Sequence, residues 1–297
     1  MISSTAQGAE HGSSELKAKA LKSLNGLPPF SPILTRLLAS LAAEEVSFLK
    51  LGDLIEKDAV LAGNVLHLVN SALYGRRGTI NSVRHALSLL GVNRLRNAVL
   101  GMSITQMWNR VRMPASWSMA RFNLHSAATA ILSDLAAPRT PVLYPEGAFV
   151  AGLLHDVGRL IIAMGLPEQH SRILERFSAG VRPLAECELE VLGFEHAEIS
   201  AQALRFWNLP DPIQSAVLYH HNPLGDPTPS KDANIPLSHL IDAANRRVNA
   251  EGITILNWQN PDAFDSEPIE RMLDSRAEGV FAEFKIEYAA MAPFFRP

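Results

Sequence analysis

Cysteine is nearly absent from this chain of 297 residues, where Cys187 stands alone. A single thiol excludes an internal disulfide and any cysteine-rich zinc or iron–sulfur site, and its ordinary role is that of a small buried hydrophobe. A surplus of charge is missing too: the formal charge of −3 gives no general pull toward nucleic acid or anionic lipid. No basic start followed by an apolar core opens the chain, so no signal peptide is expected. No apolar run reaches the ~20 uninterrupted residues that span a bilayer. The expected setting is therefore cytoplasmic and reducing, with no membrane partner. Alternating β-branched runs bounded by turns are scarce as well. What the chain has in quantity is apolar character at helical spacing, with 47% hydrophobic and 19% charged residues, ordinary for a globular protein with a sizeable core.

The pattern predicts an all-α fold. Met1 to about Ser13 reads as a disordered polar tail, followed by a short helix from Ser14 to about Ser23 ending at Asn25-Gly26. Ser31-Pro32 supplies an N-cap and a first-turn proline for a helix through Ala42. Leu51–Lys57, Val60–Val69 and Val83–Leu90 follow as short amphipathic helices, and Asn93 caps a longer one through Met107. Val-Arg-Met-Pro-Ala-Ser at 111–116 breaks the pattern and marks a boundary. Beyond it, helices are predicted at about Met119–Leu135, Gly147–Met164, Glu168–Ser178, Leu184–Leu192, Ala197–Phe206, Asp211–His220, Ile235–Val248 and Ile269–Tyr288. Asn222 to Ser230, with three prolines, reads as a loop. The organisation expected is a tail and short helix over 1–26, an N-terminal helical lobe over 27–112, a bundle over 113–250 and a C-terminal helical extension over 251–297.

Phe149 to Ile162 is the densest apolar stretch, and an adjacent imidazole and carboxylate, His155-Asp156, interrupt it. A helix this apolar is buried on most faces. Buried His and Asp are unfavourable unless hydrogen-bonded, paired or ligating a metal, so the pair is either a structural polar pair or part of a site. The same half of the chain holds His125, His196, His220-His221 and Asp242 within or beside apolar helical patterns. Each alone has an ordinary explanation, such as a satisfied core histidine or a histidine at a helix C-terminus. Together they form the imidazole and carboxylate set suited to Fe, Mn or Zn, and one Asp flanked by histidines can bridge two ions.

In order and context these residues resemble the ligands of HD-domain metal-dependent phosphohydrolases, closest to the HD-GYP cyclic di-GMP phosphodiesterases. The wider match resembles the HDOD (HD-related output domain) family. It is carried by Leu54-Ile55-Glu56-Lys57-Asp58, by Val65 through Asn70-Ser71-Ala72-Leu73-Tyr74-Gly75, and by Ala151 through His155-Asp156-Val157-Gly158-Arg159. Gly193 through Glu198, Trp207-Asn208-Leu209-Pro210 and His220-His221-Asn222-Pro223 complete it, so the likeness runs from about Leu27 to Val248.

The resemblance implies an N-terminal helical lobe packed on an HD-like bundle, and a role in bacterial signal transduction. It also implies a divalent metal, up to two ions, held by His125, His155, Asp156, His196, His220, His221 and Asp242. The alternative it carries is a phosphohydrolase acting on a nucleotide or cyclic dinucleotide, with Asp156 and Arg159 as its catalytic residues. Departures weigh against cyclic di-GMP cleavage. No Gly-Tyr-Pro follows His220-His221, Arg159 stands where the catalytic relatives carry lysine, and Arg121 stands where some carry a further glutamate. As a signalling adaptor the chain would offer a groove near Asn70, Ser71 and Tyr74 to a partner protein or a nucleotide; the competing reading of Asn70 and Ser71 is a helix terminus satisfying its own carbonyls. Arg76, Arg77, Arg84, Arg94 and Arg96 suggest a basic patch, but poor aromatic interleaving makes a solvated face the better reading than a nucleic-acid interface.

Overall fold

The computed structural model describes residues 2–39, 41, 48–71, 79–179, 183–229, 234–256 and 265–297. Among these the only β element is an isolated parallel bridge between Val142 and Ile235, and the fold is all-α. The N-terminal helix α1 (Ile2–Lys22) passes through a 3-10 turn and a proline break to α2 (Pro32–Ala39), α3 (Phe48–Glu56), α4 (Ala59–Val69), α5 (Val83–Leu90) and α6 (Val92–Trp108). The second half begins with α7 (Met119–Ala136), α8 (Ala148–Leu154), α9 (Val157–Gly165) and α10 (Pro167–Ala179). It continues with α11 (Leu184–Leu192), α12 (His196–Phe206), α13 (Asp211–Leu218) and α14 (Leu237–Ala250), and ends with α15 (Glu267–Leu273) and α16 (Ala277–Met291).

Local chemistry explains several boundaries. Ser31 Oγ accepts the Leu34 amide at 3.2 Å, Asp58 accepts from Val60 and Leu61, and Ser82 accepts from His85, each relieving unpaired first-turn amides. At α6 the expected cap Asn93 lies inside the helix, and Gly91, with φ 78°, precedes it instead.

Three expectations need correction. Residues 2–13, expected to be a disordered tail, belong to α1. Downstream, that helix buries Ala20 against α9 and α12, the 3-10 turn after it buries Leu24, and no proline interrupts the helix, so the packed half carries the polar half with it. The second correction concerns Gly147–Met164. It is two helices rather than one, parting at His155-Asp156, where Asp156 leaves helical geometry at φ −101° and ψ 9°. The C-terminal helix is similarly divided, at Asp274–Arg276.

One continuous core runs through the described residues, from Ala20 to Phe295. α7 lies at its centre, packed on α8, α14 and α16, and the turn after α16 places Phe295, fully buried, against both α6 and α7. The segment Pro145–Gly165 is long and apolar enough to cross a membrane by length and composition, yet 89% of its most apolar stretch is buried inside the protein. It forms the heart of the bundle. Cys187 is buried as expected.

Close approach of the helices depends on two glycines. A Cβ at Gly152 would lie 2.8 Å from the Ala130 Cα, and one at Gly158 would lie 2.0 Å from the His196 carbonyl oxygen. No larger residue lets α8 meet α7, or α9 meet α12, at these distances.

Candidate metal centre

Helix ends, not helix middles, deliver the polar side chains. His155 follows the last residue of α8 and Asp156 precedes the first of α9. His196 opens α12, and His220 and His221 lie in the turn after α13. His125 alone projects from within a helix, α7. His125, His155, Asp156, His196 and His220 are all 2% exposed or less.

Asp156 is where they meet. His196 Nε2 lies 2.8 Å from its Oδ1 and His220 Nε2 3.8 Å from the same oxygen. Its Oδ2 faces His155 Nε2 at 3.3 Å and His125 Nε2 at 3.6 Å. His221 Nε2 stands 3.1 Å from His196 Nε2. The donor atoms form two groups that share Asp156: Asp156 with His196, His220 and His221, and Asp156 with His125 and His155.

The outer nitrogens set the tautomers. His155 Nδ1 lies 2.8 Å from the Gly152 carbonyl, His220 Nδ1 2.6 Å from that of Val217, and His125 Nδ1 2.7 Å from that of Ile253. A carbonyl only accepts, so each Nδ1 carries the hydrogen and each neutral ring presents an Nε2 lone pair inward. His155 Nε2 is buried without a hydrogen-bond partner. Lone pairs converging on a carboxylate repel one another unless cations lie between them. Imidazoles anchored through the outer nitrogen are the arrangement that metal-ligating histidines adopt, and by this test the residues present fit a divalent ion.

The electrostatics are consistent with that. Burial pushes His125 down to about 4, and burial with neighbouring imidazoles holds His220 and His221 well below the usual range, so these rings stay neutral and ligand-ready near pH 7. Burial alone would raise the Asp156 carboxyl, but Arg159 and the surrounding histidines hold it well below the usual carboxylate range. For His196, burial and Arg159 work downward, yet Glu188 and Asp156 outweigh them and raise it.

Arg159 donates through Nε to Asp156 Oδ1 at 2.8 Å. Beside these groups opens a cavity of about 570 Å³, lined by His125, Asp156, Arg159 and His221 and by Asp242, Asn245, Arg246 and Asn249 of α14. Asp242 lines the cavity but stands in neither donor group; Arg246 Nε reaches both its oxygens, at 2.9 and 3.0 Å. The sequence reading missed Glu188, which bonds His196. Its position four residues before the buried Leu192, on the apolar face of α11, was the available signal.

The remaining site residues lie elsewhere. Asn70 is bonded to both backbone groups of Ile80, donating to its oxygen at 2.7 Å and accepting from its nitrogen at 2.8 Å, and Ser71 Oγ is buried without a partner. Tyr74, Arg76 and Arg77 lie outside the described residues. Arg84 pairs with Asp53, Arg94 with Glu283 and Glu287, and Arg96 is buried.

The HDOD domain family model matches residues 27–223. The chain belongs to the HDOD family. An HDOD domain protein from Geobacter sulfurreducens shares its fold at a TM-score of 0.72 with 24% identity, over 94% of this chain and 97% of that one. A candidate phosphohydrolase from Shewanella amazonensis aligns at 0.67 with 23% identity, over 94% and 98%. An uncharacterized protein of Treponema pallidum is 22% identical over 70% of this HDOD chain but only 40% of its own length, so the chain spans less than half of that relative.

Proposed function

We propose that this HDOD protein is a regulatory module of signal transduction whose bundle holds a divalent-metal centre. The observation that carries the reading is the set of inward Nε2 lone pairs around Asp156, with His155 Nε2 buried and unpartnered. His196, His220, His221 and Asp156 would hold one ion, and His125, His155 and Asp156 a second, of the Fe, Mn or Zn class. Asp242 takes no part in this assignment. The centre closes the junction of α8, α9, α12 and α13, so its occupancy stabilises the bundle, and the adjoining cavity is the place for a nucleotide or a segment of a signalling partner.

The test is elemental analysis of protein purified without added metal, beside Asp156→Ala and His155→Ala. Stoichiometric metal in the wild type and its loss in Asp156→Ala are expected. Metal retained by Asp156→Ala would overturn the ligand assignment.

A second reading, phosphoester hydrolysis, is favoured by the cavity itself. Its volume, about 570 Å³, suits a nucleotide-sized ligand, and Asp156, His125 and His221 all line it. Bound ions supply Lewis acidity toward a phosphoryl oxygen, while Arg159 holds the Asp156 carboxylate in place. Turnover of bis(p-nitrophenyl) phosphate by manganese-loaded protein, abolished in Asp156→Ala, would establish it. Full metal occupancy without turnover of this or cyclic dinucleotide substrates would leave the regulatory reading alone.

A further inference from the structure

Three of the imidazoles around Asp156 donate to backbone carbonyls. For His155 and His220 the acceptor is the carbonyl three residues earlier, Gly152 and Val217. Both residues close helices, where the last carbonyls have no intrahelical donor and are free to accept. His196 has no such option. It is the first residue of α12, and no helical turn precedes it.

Its Nδ1 instead meets Glu188 Oε2 of α11 at 2.5 Å. The same oxygen accepts the His196 backbone N–H at 2.9 Å, one of the unpaired amides of a helix start. Glu188 is 3% exposed, and its other oxygen lies 3.9 Å from Arg159 Nη1. A closed circuit results, running from Glu188 to His196, to Asp156, to Arg159 and back to Glu188.

We propose that Glu188 is a positioning residue of the metal centre: it locks the His196 ring so that Nε2 is delivered to the group formed by Asp156, His220 and His221, and, as a carboxylate rather than a carbonyl, makes this ring the most electron-rich ligand. The proposal rests on the metal-centre reading above. A carboxylate behind a ligating imidazole raises its basicity and fixes its orientation, and loss of such a partner typically weakens metal binding by about 10–100-fold. The rival role for Glu188, a helix cap alone, predicts a fold that is less stable and a centre that binds as before.

The two roles separate in a titration of metal-free protein with Co²⁺, followed by its visible absorption, with thermal midpoints of the metal-free forms recorded alongside. Glu188→Gln keeps an acceptor in place and removes the charge. It is expected to weaken Co²⁺ binding roughly 10-fold or more. His196→Ala is expected to weaken it as well, and adding Glu188→Gln to His196→Ala should produce no further loss, because Glu188 acts through that ring. Unchanged affinity with a lowered midpoint, or losses that add in the double variant, would overturn the proposal. Should Glu188→Gln fail to fold, Glu188→Asp, which keeps the charge and shortens its reach, must show the same selective weakening. Absence of Co²⁺ binding by the wild type would overturn the metal centre itself, and the role of Glu188 with it.

Discussion

Arg159 Nε approaches Asp156 Oδ1 at 2.8 Å, the same distance at which His196 Nε2 reaches that oxygen. A guanidinium therefore shares the carboxylate around which the donor groups assemble. Removing one member of a buried pair leaves the other charge uncompensated and costs about 3 kcal/mol or more. Arg159→Met should lower the thermal midpoint of metal-free protein markedly. Added Mn²⁺ or Zn²⁺ should restore much of the loss, since an ion replaces the missing positive charge. Equal midpoints with and without metal in Arg159→Met would contradict a metal role for Asp156.

Acidification should destabilise the metal-free protein. His125 titrates at about 4 when folded against an ordinary 6.5, so between these values the unfolded chain binds the extra proton and stability falls as pH falls. The window of about 2.5 pH units corresponds to roughly 3 kcal/mol for this residue. His220 and His221 shift in the same direction; His196, raised, works the opposite way. Urea unfolding of chelated protein at pH 7, 6, 5 and 4 should show a declining midpoint. A flat profile would show that the buried rings do not stay neutral.

Gly158 tests the packing that sets the site. A methyl group there would sit 2.0 Å from the His196 carbonyl oxygen, forcing α9 away from α12, and overpacking of this kind costs about 1–3 kcal/mol or more. Gly158→Ala should lower both thermal stability and metal content, although it changes no ligand. Full metal content at wild-type stability would mean that the α9–α12 approach is not what holds Asp156 and His196 together.

Anion binding by the cavity should require metal. Five carboxyl groups line it, from Asp156, Glu186, Glu195, Asp242 and Asp265, and its two guanidiniums, Arg159 and Arg246, are already bonded to Asp156 and Asp242. Calorimetric titration with pyrophosphate should give no heat of binding in chelated protein and measurable binding after Mn²⁺ loading. Equal affinity in both forms would remove the ions from ligand recognition.

Asn70 offers a control away from the centre. Its amide clamps both backbone groups of Ile80, so Asn70→Ala should lower urea stability by about 1–3 kcal/mol with metal content unchanged. Loss of metal in this variant would show that the end of α4 is coupled to the metal centre through the shared core.

The sequence by itself determined the helical class and most helix boundaries, because apolar periodicity and capping residues are local signals; His125, His155, His196, His220 and His221 stood out as a set only through their order and their likeness to a known family. The sequence also marked His155-Asp156 as an interruption of the most apolar stretch. Only the tertiary structure decided that the interruption parts two helices, since the continuous apolar run outweighs any breaker in a sequence window. Only the structure brought Glu188 to His196, placed Asp242 with Arg246 and turned Asn70 toward Ile80. Each of those pairings depends on which helices lie side by side, and glycine-sized gaps such as Gly152 and Gly158 set that arrangement through packing across the chain rather than through any local pattern.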